Sequence, residues 1–210
     1  MTRTPQSLLQ PRKLARQARA VATVDAIQEA AAQVLLRGRP ADVTMNRVAE
    51  RAGVSIGTIY QYYANREALL FAVVEAEVRR LMDGMIVAAE ELRGHSVEAI
   101  ASGLAERWIA LKGSDVEASR ALYAMSGEFD LGTMMHQTLE EMTKIIEGAL
   151  SSATDRQSPD FRNMAGTLAA LLMGTVRVIL ESSDPAGKLA KVREELPRLC
   201  GSYVAMANSP

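Results

Sequence analysis

A chain of 210 residues with one cysteine, Cys200, excludes a disulfide framework and a multi-thiolate metal centre. Hydrophobic residues make up 48% of it and aromatics 4%, a helical rather than a strand-rich composition. The formal net charge of −1 argues, as a total, against a nucleic-acid partner.

In chain order, Val21, Val24, Ile27, Ala31, Val34 and Leu35 recur at helical spacing, and Gly38 with Pro40 ends that helix. Two short helical segments follow, 44–51 and 55–62, separated by Ala52-Gly53-Val54. Asn65 can cap a long helix through Leu69, Val73, Leu81, Met85 and Leu92, which Gly94 and His95 break. Ser96 opens the helix that carries Trp108, and Ser114-Asp115-Val116-Glu117 has capping-box spacing for another, to about Gly127. A further helix covers 131–153, with a loop at 154–158. Ser158-Pro159 and Asp184-Pro185 are cap-plus-proline starts for the last two, and Pro197 should kink or end the final one. The expected fold class is all-α, with about nine helices.

The chain shows no secretory apolar region, and its most apolar stretch, 164–180, is interrupted by Thr167, Thr175 and Arg177. These features predict a cytoplasmic protein with no membrane partner. Splitting the charge at Arg66 changes the electrostatic picture. Residues 1–66 carry ten Lys and Arg against four acids, a net +6, which leaves −7 on the remainder. A basic head sits on an acidic body.

The head holds the informative run, TMNRVAERAGVSIGTIYQYYANREALL, from Thr44 to Leu70. It reads as two helices of about two turns joined tightly, with Gly53 free to take a positive φ and Ala49 small enough for close approach. Val48, Val54 and Ile59 supply the apolar contacts, and Ser55 caps the second helix. That helix is expected to expose Ile56, Thr58, Tyr60 and Tyr62, a polar-aromatic face suited to a DNA major groove.

The runs Ala52-Gly53-Val54-Ser55, Gly57-Thr58-Ile59-Tyr60 and Tyr62-Tyr63, with Arg66-Glu67 and Leu69, closely resemble the DNA-binding domain of the TetR family of transcriptional repressors. Two departures are visible: Tyr63 stands where phenylalanine is frequent, and Arg66 where lysine is usual. The resemblance implies an N-terminal three-helix helix-turn-helix domain at 19–66 after a basic tail at 1–18. A larger ligand-binding and dimerisation domain follows at 67–210. It implies that Thr44 meets a phosphate through its hydroxyl and the helix N-terminus. Tyr60, Tyr62 and Arg66 would grip backbone or bases, while Asn46, Ser55, Ile56, Gly57 and Thr58 lie toward the groove. On pattern alone Tyr63 belongs to the core, and Tyr60 serves either packing or a phosphate. Arg47 and Arg51 are either contacts or solvated helix faces. The tail residues Arg3, Arg12, Lys13 and Arg16 form either a minor-groove arm or a plain tail.

For the body, the resemblance implies a homodimer on a palindromic double-stranded DNA operator, released by a small, apolar effector. Leu168, Leu171, Leu172 and Ile179 on one helix and Val192, Leu196, Leu199 and Tyr203 on the other are the candidate dimer residues. Small residues at Ala165, Gly166, Ala169, Ala170 and Gly174 would let helices approach closely. Trp108, Tyr123, Met125, Phe129, His136, Met142, Met173 and Arg177 are candidate effector contacts, each with ordinary core or surface as its alternative. Arg177 has Glu181 one turn on as its other partner. No cofactor, metal site or enzymatic motif is expected: two histidines make no metal cluster, and no phosphate loop or nucleophile elbow is present. Activation in place of repression, a corepressor in place of an inducer, and a helical module without DNA binding stay open at this stage.

Overall fold

Hydroxyl and carboxamide caps, glycines and prolines divide the chain into nine α-helices among the residues that the computed structural model describes: 18–36, 40–125, 131–157 and 161–208. They are α1 (Ala18–Leu36), α2 (Met45–Ala52), α3 (Ile56–Tyr62), α4 (Arg66–Glu91), α5 (Val97–Gly113), α6 (Val116–Ala124), α7 (Gly132–Ser151), α8 (Arg162–Leu180) and α9 (Pro185–Ala207). A 3₁₀ turn, Pro40–Asp42, precedes α2.

Most expected caps are in place. Asn65 Oδ1 accepts from Ala68 N at 2.8 Å, Ser96 Oγ from Ala99 N at 3.2 Å, and Asp184 Oδ1 from Gly187 N at 3.0 Å. Each satisfies an N–H that the first helical turn leaves without an internal partner. Ser114 departs from expectation: its hydroxyl donates to Leu111 O at 2.8 Å, so it closes α5 instead of capping α6. Pro197 does not end α9, which runs on to Ala207. The Ser158-Pro159 start lies outside the described residues, and α8 begins after Phe161 with no side-chain cap.

Two units are compact. The first comprises Met1–Glu77 and Arg120–Leu131, the second Val78–Ser119 and Gly132–Pro210, so the division falls inside α4 and not at Arg66. In the first, α1 packs on α2 and α2 on α3, with Ile27, Ala31, Leu35, Val48, Ala49 and Ile59 buried.

In the second, α5 lies along α9, and α7 and α8 pack together. Glycines set the closest approaches. A Cβ at Gly84 would lie 2.8 Å from Leu111 Cδ1, and one at Gly103 would lie 2.8 Å from Leu92 Cδ1. Gly84 of α4 thus notches around a leucine of α5, and Gly103 of α5 around Leu92, the residue that follows α4. Gly201 plays the same part between α9 and α5, where a Cβ would stand 3.2 Å from Glu98 O. Helix α8 is long and apolar enough to cross a bilayer by length and composition, yet it is a core helix: Ala165, Leu168, Ala169, Leu172, Val176 and Leu180 are buried in the protomer.

A polar stitch joins three chain segments of this unit. Asp155 Oδ1 accepts from Val97 N at 2.8 Å, at the start of α5. Asn208, itself buried, donates through Nδ2 to Asp155 O and accepts from Gln157 N, both at 2.9 Å.

Candidate nucleic-acid interface

The helix-turn-helix is assembled by short-range hydrogen bonds. Thr44 takes extended backbone angles and caps α2, its Oγ1 accepting from Arg47 N at 3.3 Å. Gly53 ends α2 at φ 66°, a left-handed conformation that costs glycine nothing and a β-carbon residue about 1 kcal/mol. Ser55 then caps α3: its Oγ accepts from Thr58 N at 3.0 Å and lies 2.8 Å from Thr58 Oγ1. Both hydroxyls are therefore partly engaged within the chain.

Core and surface separate cleanly across α3. Ile59 is fully buried and fixes the helix on α2, while Ile56 and Tyr60 are 40% and 43% exposed, with Gly57 exposed beside them. Thr44, Asn46 and Arg47 are exposed at the start of α2. These residues form one outward-facing set around two short helices.

Tyr62 departs from expectation, and three arginines find partners within the chain. Tyr62 is not on the exposed face; it is 7% exposed, because it stands one turn after Ile59 and shares its buried side. Arg66 does not project freely: its Nε donates to Val43 O at 2.9 Å and its Nη1 meets Glu67 Oε1 at 3.2 Å. Arg47 and Arg51 are more than solvated charge. Arg47 Nη1 donates to Asp42 O at 3.1 Å, and Arg51 Nε to Gln33 Oε1 at 2.6 Å, which ties α2 to α1. Tyr63 belongs to the core as its pattern suggests. Its hydroxyl accepts from Gln28 Nε2 at 2.8 Å, and burial raises its pKa above the ordinary phenol value. The tail residues Arg3, Arg12, Lys13 and Arg16 lie outside the described residues.

The candidate effector residues are divided between the two units. Tyr123 and Met125 belong to the first unit, and Trp108, His136, Met142, Met173 and Arg177 to the second; Phe129 lies outside the described residues. Trp108 is buried with its indole Nε1 donating to Leu172 O at 3.0 Å, and the ammonium of Lys112, also buried, stands 5.3 Å from its ring centre. Met142 is wholly buried and Met173 half-buried. His136, expected near a ligand, is exposed on α7. Arg177 pairs with Glu181 at 3.0 Å, the intrahelical alternative. A groove of about 200 Å³ between α4 and α7, lined by Ile86, Glu90, Arg93, Lys144 and Ile145 among others, contains none of these candidates.

Four of the candidate dimer residues, Leu168, Leu172, Ile179 and Leu196, are buried in the protomer's own core. Each of the last two helices carries two apolar stripes, and the more regular one faces inward. Leu199 is 54% exposed, and Val192, Leu171 and Tyr203 are half-buried. The outward stripe comprises Ala170 and Gly174, expected only as small spacing residues, with Val178 on α8, while Leu199 and Met206 are exposed on α9. Its small residues hide it from a search for large apolar positions.

Comparison with known proteins covers both units. Residues 27–73 match the family described as bacterial regulatory proteins, tetR family, and residues 96–203 match the tetracyclin repressor-like C-terminal domain. An uncharacterized HTH-type transcriptional regulator of Mycobacterium tuberculosis is 44% identical over 57 residues, 27% of this chain. That match spans 28% of the relative's length. Among solved structures, one assigned to the TetR family, from Mesorhizobium loti, superposes with a TM-score of 0.74 at 18% identity, covering 90% of this chain and 98% of its own. A transcriptional regulator from Cytophaga hutchinsonii gives 0.71 at 16% identity, covering 90% and 98%. The fatty acid degradation regulator FadR of Bacillus halodurans gives 0.60 at 20%, covering 85% and 94%. At these identities the likeness establishes the fold.

Proposed function

The chain belongs to the TetR family of helix-turn-helix transcriptional regulators, a non-enzymatic family, and from that premise we propose that it is a ligand-released repressor acting on DNA in the cytoplasm as a homodimer. The observation that carries this reading is the outward set of Thr44, Asn46, Ile56, Gly57 and Tyr60 on two capped helices, with Thr58 half-buried beside them. In it, α3 enters the major groove. Ile56 meets a thymine methyl, Gly57 allows close approach, and Tyr60 reaches the phosphate backbone. Thr44 retains its hydroxyl proton for a phosphate, since its oxygen is the acceptor in the cap.

A seven-residue helix reads few base pairs, so useful affinity calls for two copies on half-sites about 34–36 Å apart. The exposed stripes of α8 and α9, with Ala170, Gly174, Val178 and Leu199, supply a face on which two protomers can form a four-helix contact. The effector is an apolar molecule received by the helices that carry Trp108, Met142 and Met173, the two methionines being the side chains whose shape adapts to such a guest. It releases DNA by binding more tightly to the form that does not bind the operator.

Selection of duplexes from a random-sequence library by the full chain tests the reading. Enrichment of a palindrome protected over two half-sites is the expected result, and no enrichment over bulk duplex overturns it. A reporter placed behind the selected site then separates repression from activation.

A further inference from the structure

Arg66 is one of the residues that the family resemblance sends to the DNA backbone or bases, and its guanidinium is engaged inside the chain. Its Nε donates to Val43 O at 2.9 Å, its Nη1 meets Glu67 Oε1 at 3.2 Å, and the side chain is 23% exposed. Val43 is wholly buried and stands immediately before Thr44, the cap of α2. One residue earlier, Asp42 O accepts from Arg47 Nη1 at 3.1 Å, and the amide of Arg47 is the one that Thr44 Oγ1 caps.

Two consecutive carbonyls are therefore gripped by two guanidinium groups from different elements, the first turn of α2 and the first residue of α4. Asp42 ends the 3₁₀ turn, and Val43 and Thr44 after it lie in neither a helix nor a sheet. A guanidinium can donate in two directions within one plane, whereas an ammonium is a compact point charge. Arginine at this position suits a brace between a carbonyl and a carboxylate.

We propose that Arg66 is a positioning residue: it acts on DNA through the Val43 carbonyl, setting Thr44 and the N-terminus of α2 against the phosphate, and carries no phosphate itself. The inference rests on the DNA-reading function proposed above. It also departs from a direct phosphate role in a measurable way. Loss of a phosphate contact lowers the magnitude of the slope of log affinity against log salt by about 0.9, and loss of a brace leaves it unchanged.

The experiment uses the full chain, a duplex selected by the wild-type chain, and the variants Arg66→Ala and Arg66→Lys, titrated between about 50 and 200 mM salt. The expected result is an affinity loss of roughly tenfold for Arg66→Ala with the wild-type salt slope, and a smaller loss for Arg66→Lys. In the free protein, amide hydrogen exchange at residues 45–48 should quicken in Arg66→Ala. A slope lowered by about one unit, or an unchanged affinity, overturns the proposal. If Arg66→Ala melts before the titration, Arg66→Gln, which also removes the charge, supplies the same two readings. If the wild-type chain selects no duplex, the DNA reading fails and the functional half of the proposal with it. The exchange measurement still reports whether Arg66 holds the turn.

Discussion

The pair α2–α3 and the pair α8–α9 are both consecutive helices joined by short connections, and they use their side chains in opposite ways. In α2–α3 several polar groups close contacts within the chain: Thr44 and Ser55 cap, Arg47 and Arg51 reach carbonyl and amide oxygens, and Val48 and Ile59 turn inward. What remains outside is a small, mixed face of Ile56, Gly57 and Tyr60. In α8–α9 apolar residues line two sides of each helix, one buried in the protomer and one at the surface. A face kept small and mixed fits a groove that offers both methyl groups and hydrogen-bond acceptors. A long face of small and aliphatic residues fits another helix.

The largest expected effect sharpens the division within α8–α9. Leu172→Ala opens the core and should cost about 2–5 kcal/mol of stability, whereas Leu199→Ala should stay within about 0.5 kcal/mol in the monomer. Chemical denaturation of both variants checks this, and equal losses would erase the distinction between the stripes. Equilibrium sedimentation of Leu199→Asp with Val178→Asp then reads the outer stripe alone, with a shift toward monomer as the expected outcome. Gly201→Ala comes next, at about 1–3 kcal/mol, because the added methyl meets the Glu98 carbonyl of α5 at 3.2 Å and backbone yields little.

A smaller effect belongs to the head. Tyr63→Phe removes the Gln28 hydrogen bond and should cost about 0.5–1.5 kcal/mol while leaving duplex affinity unchanged. A selective loss of DNA binding would move Tyr63 from core to interface. The smallest effect concerns pH. Burial pushes the Cys200 thiol up to about 11 from an ordinary 9.0, so the folded chain favours the neutral thiol. That contribution is complete below the ordinary value and is lost as pH rises through about 11. Stability should therefore fall more steeply above pH 9 in the wild type than in Cys200→Val, as followed by thermal melts.

How far each pair could be read beforehand follows from the range of its interactions. Caps at Thr44, Ser55, Asn65, Ser96 and Asp184 act within three or four residues, so the helix starts and the turn at Gly53 were legible. Tyr62 was misread because a seven-residue helix has two aromatic positions whose sides only the packing against α2 decides. The brace at Arg66 was not legible because its acceptor, Val43 O, lies 23 residues away and is a main-chain atom that no side-chain pattern reveals. In α8 and α9 hydrophobicity marks both stripes alike. Leu168 and Leu199 carry the same signal although one is buried and the other is not. His136 shows the converse, a residue singled out for its chemistry that stands on an exposed helix face.

The stitch around Asp155 makes the far end of α9 a fastener for distant parts of its unit. Asn208 holds the α7–α8 connection at Asp155 and Gln157, and the same aspartate caps the first turn of α5. A proteolytic cut just ahead of Asn208 would therefore be felt 50 residues and more upstream in sequence, first as fraying where α5 begins. The last turn of the chain is a poor place to trim and a sensitive one at which to attach anything bulky.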